Sequence, residues 1–235
     1  MKRTSRALLV VLLAAVLAGC SLRQAQKADP AVENALKEVQ APVESFLNAQ
    51  TVSYEYEMTV TSPEGAVSGL GTCLYQQDGP AWYERQSLFG EGELATGISY
   101  ETLYLAGQRW TRQQKLISST MAQWSEEKGG TLPSGMDGLA ALLAKAENFA
   151  AVEGGNGAYT FTLSDAYLKT LGGKTTGGTL SLTVADGAVT GLTQESTEEQ
   201  NEGAVTTRLT ITELRLGDPN VAAQIEGERS GLPKE

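Results

Sequence analysis

With 235 residues, 41% of them hydrophobic and 20% charged, the chain is long enough for one domain with a full hydrophobic core. Its formal charge of −10 leaves little basic surface for nucleic acid or anionic head groups, both of which are held by Lys and Arg. Histidine is absent, which removes the commonest general base, the Ser-His-Asp triad and almost every familiar zinc site together.

Lys2, Arg3 and Arg6 precede an apolar run that starts at Ala7 and ends in Leu17-Ala18-Gly19-Cys20. An apolar core of roughly ten residues is too short to span a bilayer, which takes about 20. A basic start, a short apolar core and small residues at the exit describe a secretory signal, and a cysteine directly after them describes a lipobox. Residues 1–19 are therefore expected to be a lipoprotein signal peptide, with Cys20 the lipidated mature N-terminus, its thiol carrying a diacylglycerol with acyl chains such as palmitate. Two acyl chains, at about 0.8 kcal/mol per buried CH₂, anchor a domain that one chain holds only marginally. Cleavage would remove three basic residues and no acidic ones, leaving a charge of −13. Membrane contact is thus assigned to Cys20 alone, and the protein to the extracytoplasmic face of the cell membrane. Residues 20–28 are read as a flexible tether, 29–217 as a single domain and 218–235 as a loosely ordered tail. Beyond Cys20 the one cysteine is Cys73, so the mature domain has no internal disulfide.

Asp29-Pro30 starts a helix, because an Asp cap precedes a residue whose missing N–H costs nothing there. Val32, Ala35, Leu36, Val39, Val43, Phe46 and Leu47 then share one face, and Pro42 is expected to kink or split the element. From Val52 the period becomes two: Val52, Tyr54, Tyr56, Met58 and Val60 alternate with polar residues, as a half-dry strand requires. Val67–Gln77 returns as its hairpin partner, with Gly69 and Gly71 marking a bulge or a close approach. Ala81–Leu88 follows with Trp82 and Tyr83 on opposite faces, then a loop at Phe89–Gly92, and then Ile98–Leu105 and Gln108–Gln113 as a hairpin. Trp124 either ends a short strand or packs a loop onto the sheet. Gly138–Phe149 has helical spacing, Tyr159–Leu163 is a strand, and Asp165–Leu171 is a short helical excursion. Asp186-Gly187 joins strands at Thr179–Ala185 and Val189–Ser196, and the acidic run Thr197–Gly203 is expected as a loop. The apolar register shifts within Val205–Leu216, which implies a bulge.

The order of elements gives an α+β class. The expected architecture is a strongly curved antiparallel sheet, an open half-barrel, with helices covering its concave face. The helix before Tyr54-Glu55-Tyr56-Glu57-Met58, the hairpin Tyr104-Leu105-Ala106-Gly107-Gln108-Arg109-Trp110, the helix near Leu139 and the closing Leu216-Gly217-Asp218-Pro219 together carry a resemblance. The chain resembles the lipoprotein-carrier superfamily of LolA, LolB and the LppX and LprG lipoproteins, over Asp29 to Leu216, in the manner of uncharacterised Gram-positive members. The resemblance implies that part of the concave face is left open to lipid or acylated ligands. Val52, Tyr54, Tyr56, Met58, Tyr159 and Phe161 are the candidate ligand-binding residues, and the alternative is that they simply fill the core between sheet and helices. In that alternative the protein is a structural or regulatory envelope lipoprotein that binds another protein.

No catalytic constellation is read from the sequence, and neither a metal site nor a cofactor is expected. Glu55 and Glu57 share the wet face of one strand and are ordinary solvated residues. Glu126-Glu127 and Glu198-Glu199 are loop charges, and Gly172-Gly173 and Gly177-Gly178 lack phosphate-loop spacing. Cys73, in a strand with no histidine to activate it, reads as a buried inert thiol.

Overall fold

The computed structural model describes residues 29–90, 97–105, 107–115, 122–127, 135–171 and 174–233. Helix α1 (Pro30–Leu47) begins as expected, with the Ala31 N–H donating to Asp29 Oδ1 at 2.8 Å. Strands β1 (Thr51–Ser62), β2 (Gly65–Gln76), β3 (Ala81–Gly90), β4 (Gly97–Leu105), β5 (Gln108–Lys115) and β6 (Ser125–Glu127) follow. After α2 (Gly135–Leu143) and a 3₁₀ turn at Ala146–Asn148 come β7 (Phe149–Gly155), β8 (Ala158–Leu163) and α3 (Asp165–Thr170). Strands β9 (Thr175–Ala185), β10 (Ala188–Gln200) and β11 (Gly203–Leu216) lead to α4 (Val221–Arg229).

All these strands join one antiparallel sheet in the order β6-β5-β4-β3-β2-β1-β11-β10-β9-β8-β7. Strand β1 is its centre, where two meanders, one from each half of the chain, meet. The β1–β11 register places Tyr54 against Leu214, Tyr56 against Ile211 and Met58 against Leu209, with Thr212 as the extra residue of a bulge. The bulge falls within the predicted stretch.

Directly paired residues share a sheet face, so the register sorts the side chains into two sets. One face carries Val52, Tyr54, Tyr56 and Met58 together with Cys73, Trp82, Glu84, Leu192, Leu182, Tyr159 and Phe161. Over β7–β11 this first face is packed by α1, α2 and α3 through Val32, Val39, Phe46, Leu142 and Leu168. Each such buried side chain contributes about 1.5–3 kcal/mol relative to exposure. The second face carries Ser53, Leu74, Tyr83 and Leu103. Val221 and Ile225 of α4, with Trp124, bury that row.

Several expectations are corrected here. Within the expected loose tail, residues 218–233 are ordered: α4 docks with Val221 0% and Ile225 3% exposed, and Arg112 bridges Glu101 of β4 to Glu228 of the helix. Helices therefore lie on both faces of the sheet and not on one alone. Thr197–Gly203 is not a loop, because β10 runs to Gln200 and β11 starts at Gly203, their ends pairing Thr197 with Thr206 and Glu198 with Val205. Its charges are tolerated because strand ends leave every second side chain in water. Phe149 belongs to β7 and not to a helix, since α2 stops at Leu143 and the Phe149 ring sits 4.9 Å from that of Phe161. Helix α1 runs through Pro42 as one element, with the proline ring buried on the same stripe as Val39 and Phe46, which offsets the lost backbone bond. Phe89 and Gly90 extend β3, and the rest of the expected loop lies outside the described residues.

Candidate functional site

The half of the first face formed by β1–β4 is built differently from the half under α1. Tyr56, Met58 and Leu88 form a separate cluster, 2%, 7% and 5% exposed, with Tyr54, Val60, Val67, Tyr100 and Leu209 packed against it. Every member comes from a strand; among the described residues no helix contributes to it. The Tyr56 ring lies flat across β2 because its partner there is Gly71, where a Cβ would come within 3.0 Å of three Tyr56 atoms. Gly69 opens the same path for Met58 and Leu88, its Cβ position lying 3.0 Å from Leu88 Cδ2. The two glycines mark a close side-chain approach; the β1–β2 register runs through both without a bulge.

Across Gly71 the Tyr56 hydroxyl reaches β3 and donates to Glu84 Oε1 at 2.6 Å. Glu84 lies in the row Leu214–Tyr54–Cys73–Glu84, on an otherwise aromatic and apolar surface. Burial raises its carboxyl above the ordinary value, opposed by the Tyr56 hydrogen bond, the Arg109 charge and the Trp82 N–H, all of which favour the carboxylate. Trp82, two residues before Glu84 on the same face of β3, is 2% exposed. Burial first, and the Glu84 charge second, hold the Tyr56 hydroxyl protonated. The same two causes push the Cys73 thiol well up, so that this buried cysteine is the inert residue expected from the sequence. Gln86 Nε2 completes the corner at 3.7 Å from Met58 Sδ.

The six residues singled out from the sequence separate into two groups. Val52, Tyr159 and Phe161 sit in the helix-covered core at 0%, 6% and 0% exposure, and the Tyr159 hydroxyl donates to Glu38 of α1. Tyr56 and Met58 lie in the strand-only cluster, and Tyr54, its ring centroid 6.1 Å from that of Tyr56, touches both. Glu55 and Glu57 are exposed on the second face, beside a shallow groove of ≈ 290 Å³ shared with Leu70 and Arg85. A second groove of ≈ 370 Å³ runs between the start of α1 and the β7–β8 turn, next to Glu38 and Tyr159. Glu84 was not among the residues picked out. Its signal was present: Trp82, Glu84, Gln86 and Leu88 are alternate residues of one strand, which places a carboxyl on an apolar row.

Solved structures that match the chain include a lipoprotein and a lipoprotein-sorting domain, at low identity. Lipoprotein LppX of Mycobacterium tuberculosis shares 13% identity at a TM-score of 0.40, over 82% of this chain and 98% of that one. A Vibrio parahaemolyticus domain assigned to outer membrane lipoprotein sorting shares 12% at 0.30, over 83% and 98%. A protein of a family of unknown function from Desulfovibrio piger shares 10% at 0.34, over 86% and 99%. No protein-family profile and no curated protein matches the chain. Among the described residues no helix is long and apolar enough to cross a membrane, and no group of His, Cys, Asp and Glu is placed to hold a metal.

Proposed function

We propose that the protein is an extracytoplasmic lipoprotein, anchored to the cell membrane through Cys20, that binds or carries lipid or acylated ligands on the apolar face of β1–β4. The single observation that carries this reading is the strand-only cluster of Tyr56, Met58 and Leu88 beside Tyr54 and Tyr100. An apolar lining of this kind would take an acyl chain through area alone, at about 25 cal/mol per Å² of apolar surface, without directional bonds. Val52, Tyr159 and Phe161 support the site from the core and do not face the ligand. A curved sheet would turn the β1–β4 face into the wall of a half-barrel. The role is one of binding, with no residue assigned to catalysis.

Native mass spectrometry of the full chain isolated from its own host tests the reading. Co-purified lipid that is lost in Met58→Asp supports it, and a lipid-free protein that also fails to take up added lipid overturns it. A second reading is favoured by one observation on the opposite face. Leu70 and Phe89, 55% and 46% exposed, stand on neighbouring strands there, as a protein-binding surface would require. Cross-linking through that face to a single envelope protein, with no lipid recovered, would favour a structural or regulatory role.

A further inference from the structure

Helix α4 is held to the second face by different fastenings at its two ends. At its root the Gly217 N–H donates to the Thr51 carbonyl at 2.8 Å, the Thr51 hydroxyl to the Asp218 carbonyl at 2.9 Å and the Ser53 hydroxyl to Asp218 Oδ2 at 2.7 Å, which ties the start of the helix to the central strand β1. Its far end has one catch: the Arg112 guanidinium pairs with Glu228 at 3.2 Å and with Glu101, and lies 4.4 Å over the Trp124 ring. Between root and catch only Val221 and Ile225 are buried. The closed catch is also incompletely bonded. Among the described residues the Arg112 Nε–H and the Trp124 Nε1–H are buried without an acceptor, a penalty that water removes once the helix lifts.

The helix is weak by itself: it has nine residues, Gly227 lies inside it and Asn220 makes no side-chain cap bond. The sheet beneath does not depend on it for pairing, since β2, β3 and β4 bond to one another along their lengths. Two buried side chains and one ion pair, set against two unmade donors and the ordering of a short helix, put the closed form about 10²–10³-fold ahead of the open one. Lifting α4 bares the apolar strip of Leu74, Tyr83 and Leu103, with the Arg112 cation at its end. What fits that strip is a helix with apolar residues at i and i+4 and a carboxylate at i+7, the pattern of Val221, Ile225 and Glu228. Exchange of α4 between two copies would have to break the ties of Gly217 and Asp218 to β1, whereas lifting its far end breaks none of them. We propose that α4 is a clasp that lifts from its Arg112 end while the sheet stays folded, and that the strip it bares is a docking seat for an acidic amphipathic helix of another protein. The seat lies on the second face and stands apart from lipid binding on the first.

Native-state hydrogen exchange of the full chain in low urea tests the clasp. The α4 amides should exchange at least about tenfold faster than those of β1, with little dependence on urea, because their opening exposes little surface. Amides of α4 and β1 that follow one common urea dependence overturn the clasp. Val189→Ala, in the core on the opposite face, should speed β1 exchange about tenfold and leave α4 exchange unchanged; equal acceleration of both overturns it as well. The seat is tested with a fluorescent peptide of residues 218–233, added to wild type and to Ile225→Asp, whose own helix cannot close. An effective concentration of about 1 mM for the tethered helix, divided by the closing ratio, gives a peptide Kd of about 1–10 μM for the variant and one about 100-fold weaker for wild type. Glu228→Gln in the peptide should weaken binding about threefold. No binding to a folded variant, or equal binding to both proteins, overturns the seat. An Ile225→Asp chain that does not fold shows that the sheet needs α4 and overturns the clasp, and dimers of wild type that exchange α4 overturn the outside partner in favour of a second copy.

Discussion

Replacing Gly71 by Ala should damage the site from beneath, without touching a ligand. The glycine has no left-handed backbone angle, so an alanine there is not strained in itself and gains about 0.5–1 kcal/mol of strand stability from the lower entropy of its unfolded chain. Against that gain stands the Tyr56 ring, three of whose atoms lie within 3.0 Å of the new Cβ. The ring edge has to lift off β2, and overpacking of this kind costs about 1–3 kcal/mol. Lifting the ring also takes the Tyr56 hydroxyl from Glu84, leaving a half-buried carboxyl with one donor fewer for about a further 1–3 kcal/mol. The net expectation is a loss of about 1–5 kcal/mol, read as a fall in the urea midpoint at constant slope. A double-mutant cycle isolates the cause: in a Tyr56→Leu background the alanine should cost less than about 1 kcal/mol, because no ring crosses β2. A Gly71→Ala protein within about 0.5 kcal/mol of wild type, or an equal loss in both backgrounds, would refute the packing argument.

Ile225→Ala should cost about 2–4 kcal/mol in urea unfolding, since the side chain is 3% exposed against Leu74, Tyr83 and Leu103; a loose tail would make the substitution silent. Glu84→Gln should alter the pH dependence of stability. Burial raises the folded carboxyl above its ordinary value of 4.5, so its contribution is fully present below that value and is lost as pH rises through the folded one. Wild type should therefore lose stability relative to Glu84→Gln from about pH 4.5 upward, and parallel profiles would show that the carboxyl is not buried. Cys20→Ala should abolish incorporation of labelled palmitate during growth, and label retained on the variant would place lipidation elsewhere.

Much of the fold was legible because local periodicity reports it directly. The cap at Asp29, the alternation from Val52 to Val60, the Asp186-Gly187 turn and the bulge near the end of β11 each follow from residues close together in the chain. The turn is a clear case: both of its residues have positive φ, 52° and 76°, as a tight hairpin of that sequence demands. Where reading failed, two local readings competed. Phe149 fits the spacing of the preceding helix as well as it fits a strand, and only its ring contact with Phe161 decides between them. Val221 and Ile225 are the large apolar residues of a short helix in a mostly polar tail, too few to predict it, and they are ordered by the row of Leu74, Tyr83 and Leu103 waiting on the sheet.

The candidate site was half legible for a related reason. Alternation tells which residues share a face, but β2–β4 are apolar on both faces: Tyr75 and Trp82 on one, Leu74, Tyr83 and Leu103 on the other. A carboxyl such as Glu84 then carries no mark of being inward. The sequence by itself determined the composition limits, the lipobox reading of Leu17-Ala18-Gly19-Cys20, and the strands and helices that local spacing encodes. Only the tertiary structure decided that β1 joins β11 at the centre of one sheet, that α1 covers Val52 and Phe161 while leaving Tyr56 and Met58 to the strands, and that Glu84 meets Tyr56 across Gly71. Those are contacts between residues far apart in the chain, and their energy comes from surfaces that exist only once the sheet has formed.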